Sequence, residues 1–198
     1  MERVNASLRR IPVWLIYMTG ALPPPVWLWM GATGLLGVDP AKAIEHRLGE
    51  LALQALILGL AVTPMRRLLG VNLIKFRRAI GVLAFYYVSC HLLIWLVLDV
   101  QIPAQIWADI LKRPYITIGM AGFALLLPLA LTSNNWSVRR LGPAWRQLHR
   151  LVYAAVLLGA VHFLMLVKGF QIEPLVYLGL VVILLALRLP VARRRLAL

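Results

Sequence analysis

Along the chain, long apolar runs alternate with short polar connections, and neither the period of two of a strand nor the one-sided period of a surface helix describes the runs. Six of them stand out: residues 12–32, 48–65, 79–98, 114–132, 150–167 and 174–190. A helix rising about 1.5 Å per residue needs about 20 apolar residues to cross a hydrocarbon core about 30 Å thick. Each run is of that order, so the pattern predicts an all-α membrane protein, a six-transmembrane-helix bundle. The connections are too short for a second, soluble domain, which makes residues 1–198 a single domain. Pro12, Pro114 and Pro174 open three of the runs, where a missing N–H costs nothing, and Pro64 and Pro190 stand near the ends of two. Within the first run, "ALPPPVW" must bend or break the helix at Pro23, Pro24 and Pro25. No A-x-A-like cleavage site follows that run, so it reads as a retained span rather than a signal peptide.

Composition agrees with this reading: 62% hydrophobic and only 14% charged residues, with a mean hydropathy of +0.83. The single cysteine, Cys90, has no partner for an intramolecular disulfide. A net charge of +14 invites a nucleic-acid reading, which the distribution of the charge excludes. Sixteen of the 21 basic residues fall on one side of the six spans. They are Arg3, Arg9 and Arg10; Arg66, Arg67, Lys75, Arg77 and Arg78; Arg139, Arg140, Arg146 and Arg150; and Arg188, Arg193, Arg194 and Arg195. The other side holds Lys42, Arg47, Lys112, Arg113 and Lys168 with six of the seven acids: Asp39, Glu45, Glu50, Asp99, Asp109 and Glu173. This asymmetry puts both termini in the cytoplasm and leaves the basic face to anionic lipid headgroups, or to an acidic cytoplasmic partner. Trp14, Trp27, Trp29, Trp95, Trp107, Trp136 and Trp145 read as interfacial anchors. Gly81, Gly119, Gly122 and Gly159 read as points where another backbone, or a flat ligand, approaches closely.

The candidate chemistry lies in the histidines. In "SCHLLIWLVLD" His91 lies about 18 Å along the third span from its cytoplasmic end, and His162 lies about 18 Å along the fifth, which runs the same way. Two imidazoles at one depth on parallel spans can ligate an iron between them, the arrangement of a b-type haem held between helices. A single imidazole in a membrane helix also serves as a plain hydrogen-bonding group between helices. Covalent c-type attachment is excluded by the lack of C-x-x-C-H. His149, thirteen residues before His162, is displaced about 20 Å along a straight helix and about 140° around it. A bend or π-bulge near Gly159 would be needed to aim both into one groove; otherwise His149 serves a separate site or simply lies at headgroup level. His46 reads as a surface residue. No Walker loop, dinucleotide-binding glycine fingerprint, H-E-x-x-H helix or nucleophile elbow is present.

Taken together, "DPAKAIEHRLGE", "TPMRRLL", "FRRAIGVLAFYYVSCHLLIW", "KRPYITIGMAGF", "LALTSNNWSVRRLGPAWRQLHRLVY" and "AVHFLMLVK" resemble the MsrQ (YedZ) family over essentially the whole chain. These are haem-binding membrane subunits of bacterial periplasmic methionine sulfoxide reductase systems, related to the transmembrane domains of ferric reductases and NADPH oxidases. The resemblance implies an inner-membrane electron-transfer subunit that binds haem b and FMN and serves a periplasmic molybdopterin enzyme, MsrP. That partner reduces methionine sulfoxide in oxidised proteins. The donor is a cytosolic flavin reductase or membrane quinol. The histidines matching the family's haem ligands are His91, His149 and His162.

The wider superfamily holds two haems with two histidines on each of two helices. Here Arg77 or Arg78 occupies the position one leaflet before His91, so an inner bis-histidine site is incomplete. A haem in the outer half alone leaves roughly 20 Å of core uncovered toward the cytoplasm. A flavin near His149 with its phosphate among Arg77, Arg78, Arg139, Arg140 and Arg146 would cover it, since guanidinium forks suit phosphate oxygens. A second haem on His149 is the alternative. Two other classes stay open: a stand-alone ferric or oxygen reductase, which needs a nucleotide domain this chain does not contain, and a non-redox transporter with a histidine relay, which the placement of acids only at span ends disfavours.

Overall fold

The computed structural model describes residues 1–167 and 169–188; Lys168, Pro190, Arg193, Arg194 and Arg195, used above to place charge and the last span's end, lie outside the described residues. Among the described residues the chain is entirely helical. In order the helices are α1 (Glu2–Arg10), α2 (Val13–Ala21), α3 (Pro23–Ala32), α4 (Pro40–Leu68) and α5 (Arg77–Ile94), then α6 (Pro103–Lys112), α7 (Pro114–Leu131), α8 (Asn135–Leu141), α9 (Pro143–Leu148), α10 (Leu151–Leu166) and α11 (Ile172–Ala186). A 3₁₀ turn, Ile74–Phe76, leads into α5, and a π-helical stretch, Trp95–Val100, continues it.

Among the described residues, four stretches are long and apolar enough to cross a membrane: Pro40–Leu68, Ile74–Val100, Pro114–Leu131 and Pro143–Leu166. A fifth is reached if α1 and Val13–Ala32, which meet at 73°, are taken as one bent span. Helix α11, the sixth apolar segment, has 15 residues and so covers about 22 Å.

Element boundaries differ from the sequence expectation in physically informative ways. Helix α4 begins at residue 40, not 48, because Asp39 caps it by accepting from the Lys42 amide at 3.1 Å and Pro40 occupies the first turn. That amide bond is the main reason the Asp39 carboxyl sits below its ordinary pKa. The charged segment before the second span is therefore helix, and it carries Lys42, Glu45 and His46, the first and last of them exposed. Helices α1 and α6 were not expected at all, being polar on one side and short. Trp95 is buried at 8% exposure, and Trp27 packs beside Ile44, Leu48 and Ile94, so neither is an interfacial anchor; Trp14, Trp29, Trp107 and Trp136 are exposed as anchors should be.

The central core joins α4, α5, α7, α10 and α11 through Leu53, Leu56, Leu60, Ala84, Leu126, Leu129, Ala155, Val156, Ala160 and Val181. Helix α4 runs along α5, and α10 along α7, the two most extensive pairings in the molecule. Helix α2 closes one flank through Ile16 and Tyr17 against Ala52, Leu83 and Tyr87. Beside α11, Gln54 donates to Glu50 (2.8 Å) and Tyr177 (2.7 Å), while the Tyr177 hydroxyl donates to Glu50 (3.0 Å), a polar clasp between α4 and α11. At the basic end, Asn5 of α1 donates to the Gly70 carbonyl and accepts from the Asn72 amide, and Lys75 donates to the carbonyls of Arg9 and Ile11.

Proline creates a debt of unpaired carbonyls that a membrane interior does not forgive, because no water is there to bond them. The run Pro23–Pro25 removes the amides that would serve the carbonyls of Thr19, Gly20 and Ala21. The structure fills all three: Leu22 N–H donates to Thr19 (3.3 Å), the Tyr87 hydroxyl to Gly20 (2.6 Å) and the Tyr86 hydroxyl to Ala21 (3.4 Å). The chain thus interrupts its hydrogen bonds at Leu22 while keeping a right-handed helical backbone there, so the expected break is a short interruption within one apolar stretch. Pro64 likewise frees the Leu60 carbonyl, and the Arg188 guanidinium donates to it at 2.5 Å and to the Tyr153 hydroxyl at 3.0 Å.

Candidate cofactor site

The two helix pairings position His91 and His162. His91 stands on α5, three residues from its end, and its Nδ1 lies 2.8 Å from the Glu45 carbonyl on α4. His162 stands on α10, and its Nδ1 lies 2.7 Å from the Tyr115 carbonyl on α7. A carbonyl only accepts, so in both rings Nδ1 carries the proton and Nε2 keeps the lone pair. That is the tautomer a metal-ligating imidazole needs, with the orienting partner already in place.

A glycine lies under each ring, four residues after the residue whose carbonyl accepts from it. A Cβ on Gly49 would stand 3.1 Å from His91 Nδ1, and one on Gly119 only 2.9 Å from His162 Nδ1. Glu45 and Gly49 on α4, and Tyr115 and Gly119 on α7, thus form two equivalent seats, one per imidazole. Of the other glycines singled out by sequence, Gly122 and Gly159 make ordinary contacts and Gly81 faces open space.

The seated rings face each other with centres 6.2 Å apart and planes at 81°. Two imidazoles reach about that spacing when one metal atom sits between them at bonds of about 2 Å. Both rings line a cavity of about 630 Å³, within the range of small-molecule and cofactor sites. Its lining combines an apolar wall of buried Leu53, Leu56, Leu126 and Ala155 and half-buried Val88 and Phe123 with a rim of polar side chains, of which Lys42, His46, Arg113 and Glu173 are exposed and Glu45, Glu50 and Asp99 half-buried. His46, read from sequence as a surface residue, is exposed but sits on this rim. The π-helical stretch contributes Trp95 and Asp99 to the wall, as such stretches often do at functional sites.

At the rim, Arg113 is held from two sides. Its Nε pairs with Asp109 Oδ1 at 3.2 Å, and one Nη donates to the Tyr115 hydroxyl at 3.3 Å. The hydroxyl first, with Asp109 and Asp99 behind it, raises the pKa of a guanidinium that is always charged. The second oxygen of Asp109 is buried without a hydrogen-bond partner.

His149 is elsewhere. It lies in the two-residue turn between α9 and α10, where the backbone stays right-handed helical within the stretch Pro143–Leu166, and it does not line the cavity. Trp145 stacks on its ring at 3.8 Å and donates from its indole to the Thr132 carbonyl. The Thr132 hydroxyl donates to the Pro128 carbonyl at 2.6 Å, which leaves its oxygen to accept from His149 Nε2 at 3.0 Å. Arg77, Arg78, Arg139, Arg140 and Arg146 are all exposed, and Arg78 donates to Asn135 at 2.7 Å, tying α5 to α8.

The fold and site define a multi-pass helical membrane protein with two facing, pre-oriented histidines on separate helix pairs. Residues 48–160 match the family described as ferric reductase like transmembrane component. The chain is 53% identical over 178 residues to the protein-methionine-sulfoxide reductase heme-binding subunit MsrQ of Brucella melitensis, covering 89% of this chain and 81% of that one. It is 52% identical, with the same coverage, to the MsrQ subunits of Brucella ovis and Brucella canis. The chain belongs to the MsrQ family. No solved structure matches it.

Proposed function

We propose that this protein is the haem-binding electron-transfer subunit of a methionine sulfoxide reductase system in a bacterial inner membrane. Its relatives are named as heme-binding subunits of protein-methionine-sulfoxide reductase. The observation that carries the reading is the pair His91 and His162, 6.2 Å apart across one cavity with both Nδ1 atoms bonded to backbone carbonyls. Two imidazoles are too few for a bare ion, and among the described residues no group of three His, Cys, Asp or Glu side chains could hold one. Two are enough for a metal whose other positions a macrocycle fills. Bound there, a b-type haem supplies a one-electron ferric/ferrous couple.

The protein's own residues prepare for it. The Glu45 and Tyr115 carbonyls fix the tautomers and raise the basicity of Nε2. Gly49 and Gly119 let the rings lie close against α4 and α7, and the leucine and phenylalanine wall keeps water from the deep side. In this reading residues 1–198 form one domain, all six apolar segments cross the bilayer, both termini are cytoplasmic, and electrons leave outward to a periplasmic molybdopterin reductase of the MsrP kind. They enter from a cytosolic flavin reductase or from membrane quinol. His149, with Arg77, Arg78, Arg139, Arg140 and Arg146, is assigned to an FMN at the entry side, where a second haem on His149 is the alternative.

The test is the dithionite-reduced minus oxidised spectrum, with pyridine-haemochrome stoichiometry, of the purified chain and of His91→Ala, His162→Ala and His149→Ala. Haem lost from the first two and kept by the third is the expected result. Two haems per chain, one lost with His149, would replace the flavin assignment by a second haem. A colourless wild-type protein would sink the electron-transfer reading and favour a histidine relay.

A further inference from the structure

We propose that Arg113, seconded by Lys42, binds the propionate carboxylates of the haem, so that the carboxylate edge of the macrocycle faces the acidic end of the bundle. The inference rests on the haem reading above but concerns residues that reading leaves without a role. The cavity is lined by buried apolar side chains and by polar ones that are half-buried or exposed, and carboxylates left unpaired against Leu53, Leu56 and Leu126 are strongly disfavoured by desolvation. Propionates therefore point to the rim.

There, among the described residues, they meet four carboxylates, Glu45, Glu50, Asp99 and Glu173, which repel them, and two cations, Lys42 and Arg113. The two cations are not equal. Lys42 is held only by an exposed pair with Asp39 at 3.4 Å, both side chains more than half exposed. Arg113 is aimed: Asp109, itself 7% exposed, takes Nε, and the Tyr115 hydroxyl takes one Nη donor. A guanidinium has five N–H donors, so the fork still has N–H groups to offer an incoming carboxylate. The same Tyr115 gives its carbonyl to His162, so one residue touches both the Arg113 fork and the imidazole.

The experiment titrates haem-depleted, detergent-purified full-length chain with haemin and, separately, with haemin dimethyl ester, whose propionates carry no charge. The variants are Arg113→Gln, Arg113→Lys and Lys42→Gln, with Lys112→Gln as control. Arg113→Gln is expected to weaken haemin binding about tenfold or more, Lys42→Gln a few-fold, and Arg113→Lys less than Arg113→Gln. All variants are expected to bind the ester as the wild type does. Unchanged haemin affinity in Arg113→Gln would overturn the proposal. So would an equal loss for haemin and ester, which would mean that Arg113 supports the fold around Tyr115 and not the carboxylate. A wild-type chain that takes up neither compound would remove the haem reading itself, and this proposal with it.

Discussion

Replacing Gly119 by alanine sets two effects of opposite sign against each other. In a helix interior alanine is favoured over glycine by about 1 kcal/mol. Against this, the new Cβ would lie 2.9 Å from Nδ1 and 3.0 Å from Cε1 of His162, where ordinary contact begins near 3.4 Å. The ring cannot swing away freely, because Nδ1 is bonded to the Tyr115 carbonyl at 2.7 Å on the same helix as the glycine. Retreat by about 0.5 Å takes that bond to the edge of hydrogen-bonding range, at a cost of about 1 kcal/mol. The fold therefore breaks even, while the imidazole loses both its orienting partner and its aim. Loss of such partners lowers metal affinity about 10- to 100-fold.

Expected for Gly119→Ala is a cofactor-free thermal stability close to wild type with haem retention cut by that factor. Gly49→Ala, whose Cβ would stand 3.1 Å from His91 Nδ1, is expected to lose less, and Gly81→Ala, which meets nothing within 4 Å, is expected to lose none. Haem titration of the three variants, with thermal unfolding of the haem-free forms, measures both sides. Full haem affinity in Gly119→Ala, or a loss in Gly81→Ala as large, would refute the idea that glycine seats the ring.

The proline debts give further expectations. Tyr87→Phe leaves the Gly20 carbonyl unpaired and is expected to cost about 1–3 kcal/mol, against less for Tyr86→Phe, whose bond is 3.4 Å long; thermal unfolding in detergent ranks the two. Arg188→Leu is expected to destabilise by a similar amount, and Pro64→Ala, by restoring the amide for Leu60, is expected to shrink that loss in the double variant. Equal losses with and without Pro64 would show that the carbonyl is not what Arg188 supports.

Much of the site's placement could be counted along the chain. Helical rise alone puts His91 and His162 at one depth, and the structure brings their rings together. The two seats were harder to see because their working atoms are the backbone carbonyls of Glu45 and Tyr115, which no residue type announces. Gly49 gave no warning either, although a glycine 42 residues before His91 and another 43 before His162 is a spacing that could have paired them. The apolar runs located the spans but not their ends: the cap at Asp39 extended α4 through a charged stretch that hydropathy assigns to a loop. Trp95 misled because an indole near a span's end looks interfacial, whereas the π-helical stretch turns it into the cavity wall. Nor does sequence reveal the partner of His149, since Thr132 lies seventeen residues away in a different helix's terminus.

Because the carbonyl that orients each imidazole lies on its own helix pair, the two rings are oriented by separate contacts. The pair α4 and α5 leaves the ribosome first and can settle in the bilayer with His91 already oriented; α7 and α10 follow with His162. A group held between the rings would then rivet the two helix pairs together, in addition to the core they share through Leu53, Leu126, Val156 and Val181. A chain cut between Gln101 and Ile102 and produced as two fragments is accordingly expected to rejoin when haem is supplied, and to copurify far less well without it.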